Sequence, residues 1–178
     1  MSYKIERILL SHEQIVNRSK EIGAQISKDY AGKRPLLIGM LNGAVPFFAE
    51  LIKHIEGEIE TAFIKASSYA GQTCSSSGSV VFTGDLNLQI AGRDIIVIED
   101  IVDTGLTIKT VCAFIREKKP KSIAVATLLD KKSRRLVEVD IKYVGFDIPN
   151  VFVVGFGLDY DELFRNLPYV GVLDSSSI

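Results

Sequence analysis

The sequence predicts an α/β fold in which a mostly parallel, twisted sheet is flanked by helices. Two observations carry this. Apolar runs such as Leu36-Leu37-Ile38, Ile95-Ile96-Val97-Ile98 and Ile123-Ala124-Val125 are too short for helices and read as strands covered on both faces. Between them lie segments with helical apolar spacing, and strands alternating with helices imply a parallel sheet.

Element by element, Ser11-His12-Glu13-Gln14 has the form of a capping box, in which a Ser hydroxyl and a Gln amide satisfy each other's backbone N–H groups. Ile15, Ile22 and Ile26 continue it as an apolar helical stripe ending near Asp29. Residues 35–41 form the first buried strand, Asn42-Gly43-Ala44 a turn, and Pro46 suits the first turn of a second helix whose buried face is Phe47, Leu51, Ile52 and Ile55. Residues 58–69 alternate as a strand with one wetter face. Residues 68–78 are small and polar and read as a mobile loop, and Val80, Val81 and Phe82 as a return strand. Residues 94–98 form a strand ending at Glu99-Asp100. Ile108, Val111, Cys112 and Ile115 then mark a helix with Lys118 and Lys119 at its C-terminus and Pro120 as its stop. A strand over 123–129, the charged run Asp130-Lys131-Lys132-Ser133-Arg134-Arg135, and shorter strands over 143–145, 151–156 and 169–173 complete the chain.

The chain's 178 residues are read as a single domain, 1–178, since domains run roughly 100–200 residues. Lys plus Arg number 21 against 22 Asp plus Glu, a balance that argues against an unspecific nucleic-acid partner. No apolar run approaches the ~20 residues of a membrane span. The start lacks the long apolar stretch of a signal peptide. Cys74 and Cys112 have neither zinc nor C-x-x-C spacing, which fits a reducing compartment. A cytoplasmic protein is expected. His12 and His54 fall outside every motif.

In open sheets of this kind ligands bind at the carboxyl ends of the strands. The loops there are 42–44, 99–107 and 130–135. The segment Glu99-Asp100-Ile101-Val102-Asp103-Thr104-Gly105-Leu106-Thr107 carries the chemistry. A buried strand delivers two adjacent carboxylates, then turns through a third acid and two hydroxyls into a helix N-terminus. The N–H groups freed there suit a phosphate, and Gly105 lets it approach the backbone. Glu99 and Asp100 have the wrong charge for phosphate but suit the cis hydroxyls of a sugar, or Mg²⁺. A phosphate cradle beside such acids reads as a ribose-5-phosphate site. Three acids serving only as helix caps would repel one another for a gain of about 0.3–1 kcal/mol each. A nucleoside-triphosphate hydrolase would need a G-x-x-x-x-G-K-[ST] loop, which this sequence lacks.

Four apolar residues, two acids, two apolar residues and then D-T-G-x-T resemble the 5-phosphoribosyl-1-pyrophosphate (PRPP) signature of the type I phosphoribosyltransferases. The rest of the chain resembles their hypoxanthine–guanine branch. Ser68-Tyr69 is similar to its catalytic-loop dipeptide, and Leu128-Leu129-Asp130-Lys131-Lys132 to its purine-lysine segment. Val144 to Pro149, Phe152 to Tyr160 and Phe164-Arg165 are similar to its purine hood.

The resemblance implies the type I phosphoribosyltransferase fold, with a small hood built from the N-terminal segment and roughly 145–178 and a mobile lid over about 68–78. It implies a purine-salvage enzyme that transfers the phosphoribosyl group of PRPP to N9 of hypoxanthine or guanine, with xanthine as a third candidate base. Products are IMP or GMP and pyrophosphate, formed with Mg²⁺ through an oxocarbenium-like transition state. By carry-over, Glu99 and Asp100 hold the ribose hydroxyls or metal, and Asp103, Thr104, Gly105, Leu106 and Thr107 hold the 5′-phosphate. Asp103 is also the general base near N7, and Ser68 and Tyr69 close over the reacting centre. Leu41, Asn42, Gly43 and Arg165 contact pyrophosphate. Lys131 reads the C6 oxygen, Phe152 stacks on the purine, the Val153 backbone reads its edge, and Asp159 sits at the base and binds a second Mg²⁺. Asn42 stands where many relatives carry Lys, leaving an amide without charge. A homodimer or homotetramer is expected from the family. A regulator that senses PRPP would lack the hood segment or add a basic surface, neither of which fits this sequence.

Overall fold

A computed structural model describes residues 3–68, 80–84 and 89–174. Its main sheet has the order β4-β3-β2-β5-β6-β7, built from β2 (Leu36–Met40), β3 (Glu60–Ser68), β4 (Val80–Gly84), β5 (Asp94–Val102), β6 (Ser122–Asp130) and β7 (Tyr143–Asp147). β2, β3, β5, β6 and β7 run parallel, and β4 closes the edge antiparallel to β3. A second sheet, β1-β9-β8, joins β1 (Ile5–Leu10), β8 (Val153–Val154) and β9 (Val170–Leu173) from both ends of the described chain.

Strand side chains alternate faces, so a continuously apolar strand feeds two cores. In β5, Ile96 and Ile98 enter one core with α1 (His12–Asp29) and α2 (Val45–Ile52), while Ile95 and Val97 enter the other with α3 (Leu106–Glu117). All four are fully buried, each worth about 1.5–3 kcal/mol against exposure. The stripe Ile108, Val111, Cys112 and Ile115 is the buried face of α3, as its spacing predicts. The capping box forms: Gln14 N–H donates to Ser11 Oγ at 3.2 Å, and Ser11 N–H to Gln14 Oε1 at 2.8 Å.

Several boundaries differ from the sequence expectation, among them β7, which runs to Asp147 where the strand is expected to end at 145. β5 continues past Ile98 through the acidic pair to Val102, because pairing with β6 persists through Ile101↔Leu129 and Val102↔Asp130. The strand expected over 151–156 shortens to Val153–Val154, since Gly155, Phe156 and Gly157 take φ of 95°, 49° and 99° and leave the pleat. α2 ends at Ile52, so Ile55 packs on the core from beyond the helix. Tyr69, Cys74 and the remainder of the expected lid through residue 78 lie outside the described residues; Ser68 is the last residue of β3.

Candidate active site

The carboxyl ends of β2, β5 and β6 bring the three expected loops to one end of the sheet. At its centre a cleft of about 250 Å³ is lined by Glu99, Asp100, Asp103, Gly105 and Thr107. α3 begins there. Gly105 is its N-cap at φ 82°, the left-handed region, and offers no side chain of its own to cap the helix. The first-turn N–H groups and the helix dipole therefore favour an anion at this end. Thr104 Oγ1 accepts from Leu106 N–H at 3.4 Å, and Thr107 borders the same cleft.

Glu99 is buried at the end of the apolar run, with Asp100 beside it half-buried. Burial pushes the Glu99 carboxyl well above the usual carboxylate range, and the Asp100 charge adds to the shift. Burial also raises Asp100, opposed by its hydrogen bonds to Glu99 and to backbone N–H and by the Arg165 charge. Two adjacent carboxylates that desolvation drives upward are a pair that a hard cation would stabilise. Their oxygens also suit Mg²⁺, which takes one or two carboxylates and completes its shell with water and substrate phosphate. Among the described residues no group of three acidic, His or Cys side chains stands close enough to hold a metal ion by itself, so the pair fits a metal shared with substrate rather than an all-protein cage.

Beside Asp100 the β2 turn makes its closest approach. The Leu41–Asn42 peptide is cis, and Gly43 is buried against the Asp100 carboxylate, where a Cβ would stand 1.7 Å from Oδ2. A Cβ on Gly157 would likewise stand 1.9 Å from the Gly43 carbonyl oxygen. Arg165 Nη1 donates to the Gly157 carbonyl at 2.8 Å, and its Nη2 pairs with Asp159 at 2.8 Å and Glu162 at 3.1 Å. The structure thus gathers Asn42, Gly43, Asp100 and Arg165 in one corner. Asp159 also accepts Glu162 N–H at 3.1 Å.

On the other side, Lys131 is 5% exposed and donates Nζ to the Val151 carbonyl at 2.7 Å. Burial and then the Arg134 charge lower its pKa, while the Asp103 charge opposes them. A residue of a solvated basic run would not be buried this way. Phe152 is 42% exposed and meets Tyr160 at close to a right angle, ring centroids 5.4 Å apart. Val153 next to it is buried in β8. Asp103, between the two corners, accepts Thr104 N–H on Oδ1.

Arg135 was legible only as one more charge of the 130–135 run. The structure instead turns it inward onto Asp130 and onto the carbonyls of Val102 and Asp103. Nothing in local spacing marks it, because its partners on the 99–107 turn lie more than thirty residues away.

The sheet order, the acidic strand end and the helix-opening turn suit a sugar phosphate at the carboxyl end of an α/β sheet. Residues 7–161 match the family model described as phosphoribosyl transferase domain. The hypoxanthine-guanine phosphoribosyltransferase of Streptococcus thermophilus is 54% identical over 169 residues, covering 95% of this chain and 93% of that protein. That of Lactococcus lactis is 52% identical, covering 95% and 91%. A crystal structure of the Staphylococcus aureus hypoxanthine phosphoribosyltransferase superposes with TM-score 0.90 at 44% identity, covering 97% of this chain and 93% of that one. A Trypanosoma cruzi hypoxanthine phosphoribosyltransferase mutant, solved as a ternary substrates complex, gives TM-score 0.90 at 36% identity, covering 97% of each chain. The chain belongs to the phosphoribosyl transferase family, on the branch of the hypoxanthine-guanine phosphoribosyltransferases. No described helix is long and apolar enough to cross a membrane.

Proposed function

We propose that this protein transfers the 5-phosphoribosyl group of PRPP to N9 of hypoxanthine or guanine, releasing pyrophosphate and a purine nucleoside monophosphate. The observation that carries the reading is the α3 N-terminus opening at Gly105 in the same cleft as buried Glu99 and half-buried Asp100. One feature suits a phosphate and the other a ribose diol with a metal, and both border one cleft.

In this reading the 103–107 turn cradles the 5′-phosphate through backbone N–H groups and the Thr104 and Thr107 hydroxyls. Glu99 and Asp100 take the ribose hydroxyls or Mg²⁺, and Asp159 would hold a second Mg²⁺. When bound, Mg²⁺ supplies positive charge to the pyrophosphate leaving group. Leu41, Asn42 and Gly43 offer pyrophosphate the turn backbone and one neutral amide, and Arg165 adds a guanidinium from the facing loop. Phe152 stacks on the purine, the Val153 backbone reads its edge, and Lys131 donates to the C6 oxygen. Asp103 accepts the proton of N7 as the bond from N9 to the ribose C1 forms and the bond from C1 to the pyrophosphate oxygen breaks. Charge builds up on the sugar during this exchange, and a carboxylate beside it also stabilises that charge.

The test is direct. Incubated with PRPP, Mg²⁺ and hypoxanthine, the protein yields IMP and pyrophosphate in equal amounts, resolved by chromatography. Tight PRPP binding without nucleotide formation from any of hypoxanthine, guanine or xanthine would instead make it a sensor.

A further inference from the structure

We propose that Arg135 is a positioning residue for this reaction, holding the Asp103–Thr104 peptide in the orientation that aims the Asp103 carboxylate. The proposal rests on the phosphoribosyl-transfer reading above, in which Asp103 is the base.

Arg135 follows the short turn Lys132–Arg134, whose residues are exposed, yet its own side chain is only 19% exposed. Its Nε donates to the Asp103 carbonyl oxygen at 3.0 Å, and Nη2 reaches the Val102 carbonyl at 3.3 Å and the Asp130 carboxylate. Asp130 is 3% exposed at the end of β6. An ion pair anchored on so buried a carboxylate is screened little by solvent.

The Asp103 carbonyl and the Thr104 N–H belong to one rigid trans peptide and point in opposite directions. The carbonyl end of that plane is held by Arg135, and the N–H end donates to Asp103 Oδ1. Turning the plane therefore carries the carboxylate with it. The following carbonyl, of Thr104, accepts Leu136 N–H at 3.0 Å and Val137 N–H at 3.3 Å. The segment after β6 thus pins two consecutive carbonyls of the phosphate turn from behind. It also carries Lys131, whose N–H donates to the Val102 carbonyl at 2.9 Å. A lysine at 135 can neutralise Asp130, but one ammonium lacks the fork that serves a carboxylate and two carbonyls together.

A double-mutant cycle tests this, with kcat and KM measured for wild type, R135K, D103N and R135K/D103N at saturating PRPP and Mg²⁺. Asparagine keeps an oxygen for Thr104 N–H, and thermal melts establish that each variant is folded. R135K should lower kcat about ten- to a hundredfold, the scale of a displaced catalytic group. In the D103N background the same change should lower kcat by less than about threefold, since a positioning residue has nothing left to position. An equal loss in both backgrounds, or wild-type kcat in R135K, overturns the proposal. Where R135K does not fold, R135Q made together with D130N removes both charges of the pair and is read in the same cycle. Wild-type protein that forms no nucleotide would instead overturn the phosphoribosyl-transfer reading, before the cycle is reached.

Discussion

Gly43 lies so close to Asp100 that a single methyl group on its α-carbon would stand 1.7 Å from Oδ2 of the carboxylate. The turn after β2 and the acidic end of β5 are therefore one unit: what is bound at the first is felt at the second. Gly43→Ala should force Asp100 aside, at a cost of about 1–3 kcal/mol in stability as an overpacking change. Steady-state kinetics on the folded variant should show a raised KM for PRPP with KM for hypoxanthine little changed. An unaltered KM for PRPP would separate the turn from the site.

Asp103→Asn keeps the turn's hydrogen bond but removes the proton acceptor. Turnover should fall about 10²–10⁴-fold, the range of a lost general base, while calorimetric PRPP affinity stays near that of wild type. Equal losses in kcat and in affinity would make Asp103 a binding group only.

Lys131→Gln removes the buried ammonium that now caps the Val151 carbonyl at 2.7 Å. KM for hypoxanthine should rise by roughly tenfold or more, as for loss of one hydrogen bond from a charged donor, and KM for PRPP should move far less. The discrimination against adenine, which has no C6 oxygen, should shrink in the same variant. Preserved discrimination would place purine reading elsewhere.

Asp29 ties the end of α1 to β7 by accepting the Tyr143 hydroxyl at 2.7 Å and pairing with Lys142 at 2.7 Å. Hydrogen bonding to Lys142 and then to Tyr143 lowers its pKa below the ordinary 3.8. A carboxyl depressed in the folded state contributes stability above its unfolded value and loses it as pH falls through the folded one. Melting temperature followed down the acid limb should therefore drop less steeply in Asp29→Asn than in wild type. Parallel curves would remove Asp29 from the acid response.

Ser11→Ala, far from the cleft, should cost about 1 kcal/mol, the usual value of an N-cap hydroxyl. Denaturant unfolding should register that loss with kcat unchanged.

Much of this was readable from residues alone, for reasons that are local. The capping box at Ser11 and Gln14, the two-faced burial of Ile95 to Ile98 and the stripe from Ile108 to Ile115 depend on neighbours a few positions away, so spacing reveals them. So does the acidic strand end turning at Gly105 into α3. What spacing concealed was set from a distance. β1 has one buried residue, Leu10, and becomes a strand by pairing with β9, more than 150 residues on. By spacing alone Asp130, Lys131 and Arg135 are members of one charged run, but partners at Val102, Asp103 and Val151 draw them inward. A charge can be buried only where such partners exist, and a linear sequence does not say where they are.

The most direct test of the central claim is a crystal structure with IMP bound. Its 5′-phosphate should rest on the N–H groups that open α3, with the ribose hydroxyls facing Glu99 and Asp100 and the base between Phe152 and Lys131. Nucleotide density in any other part of the molecule, with the α3 turn left bare, would contradict it.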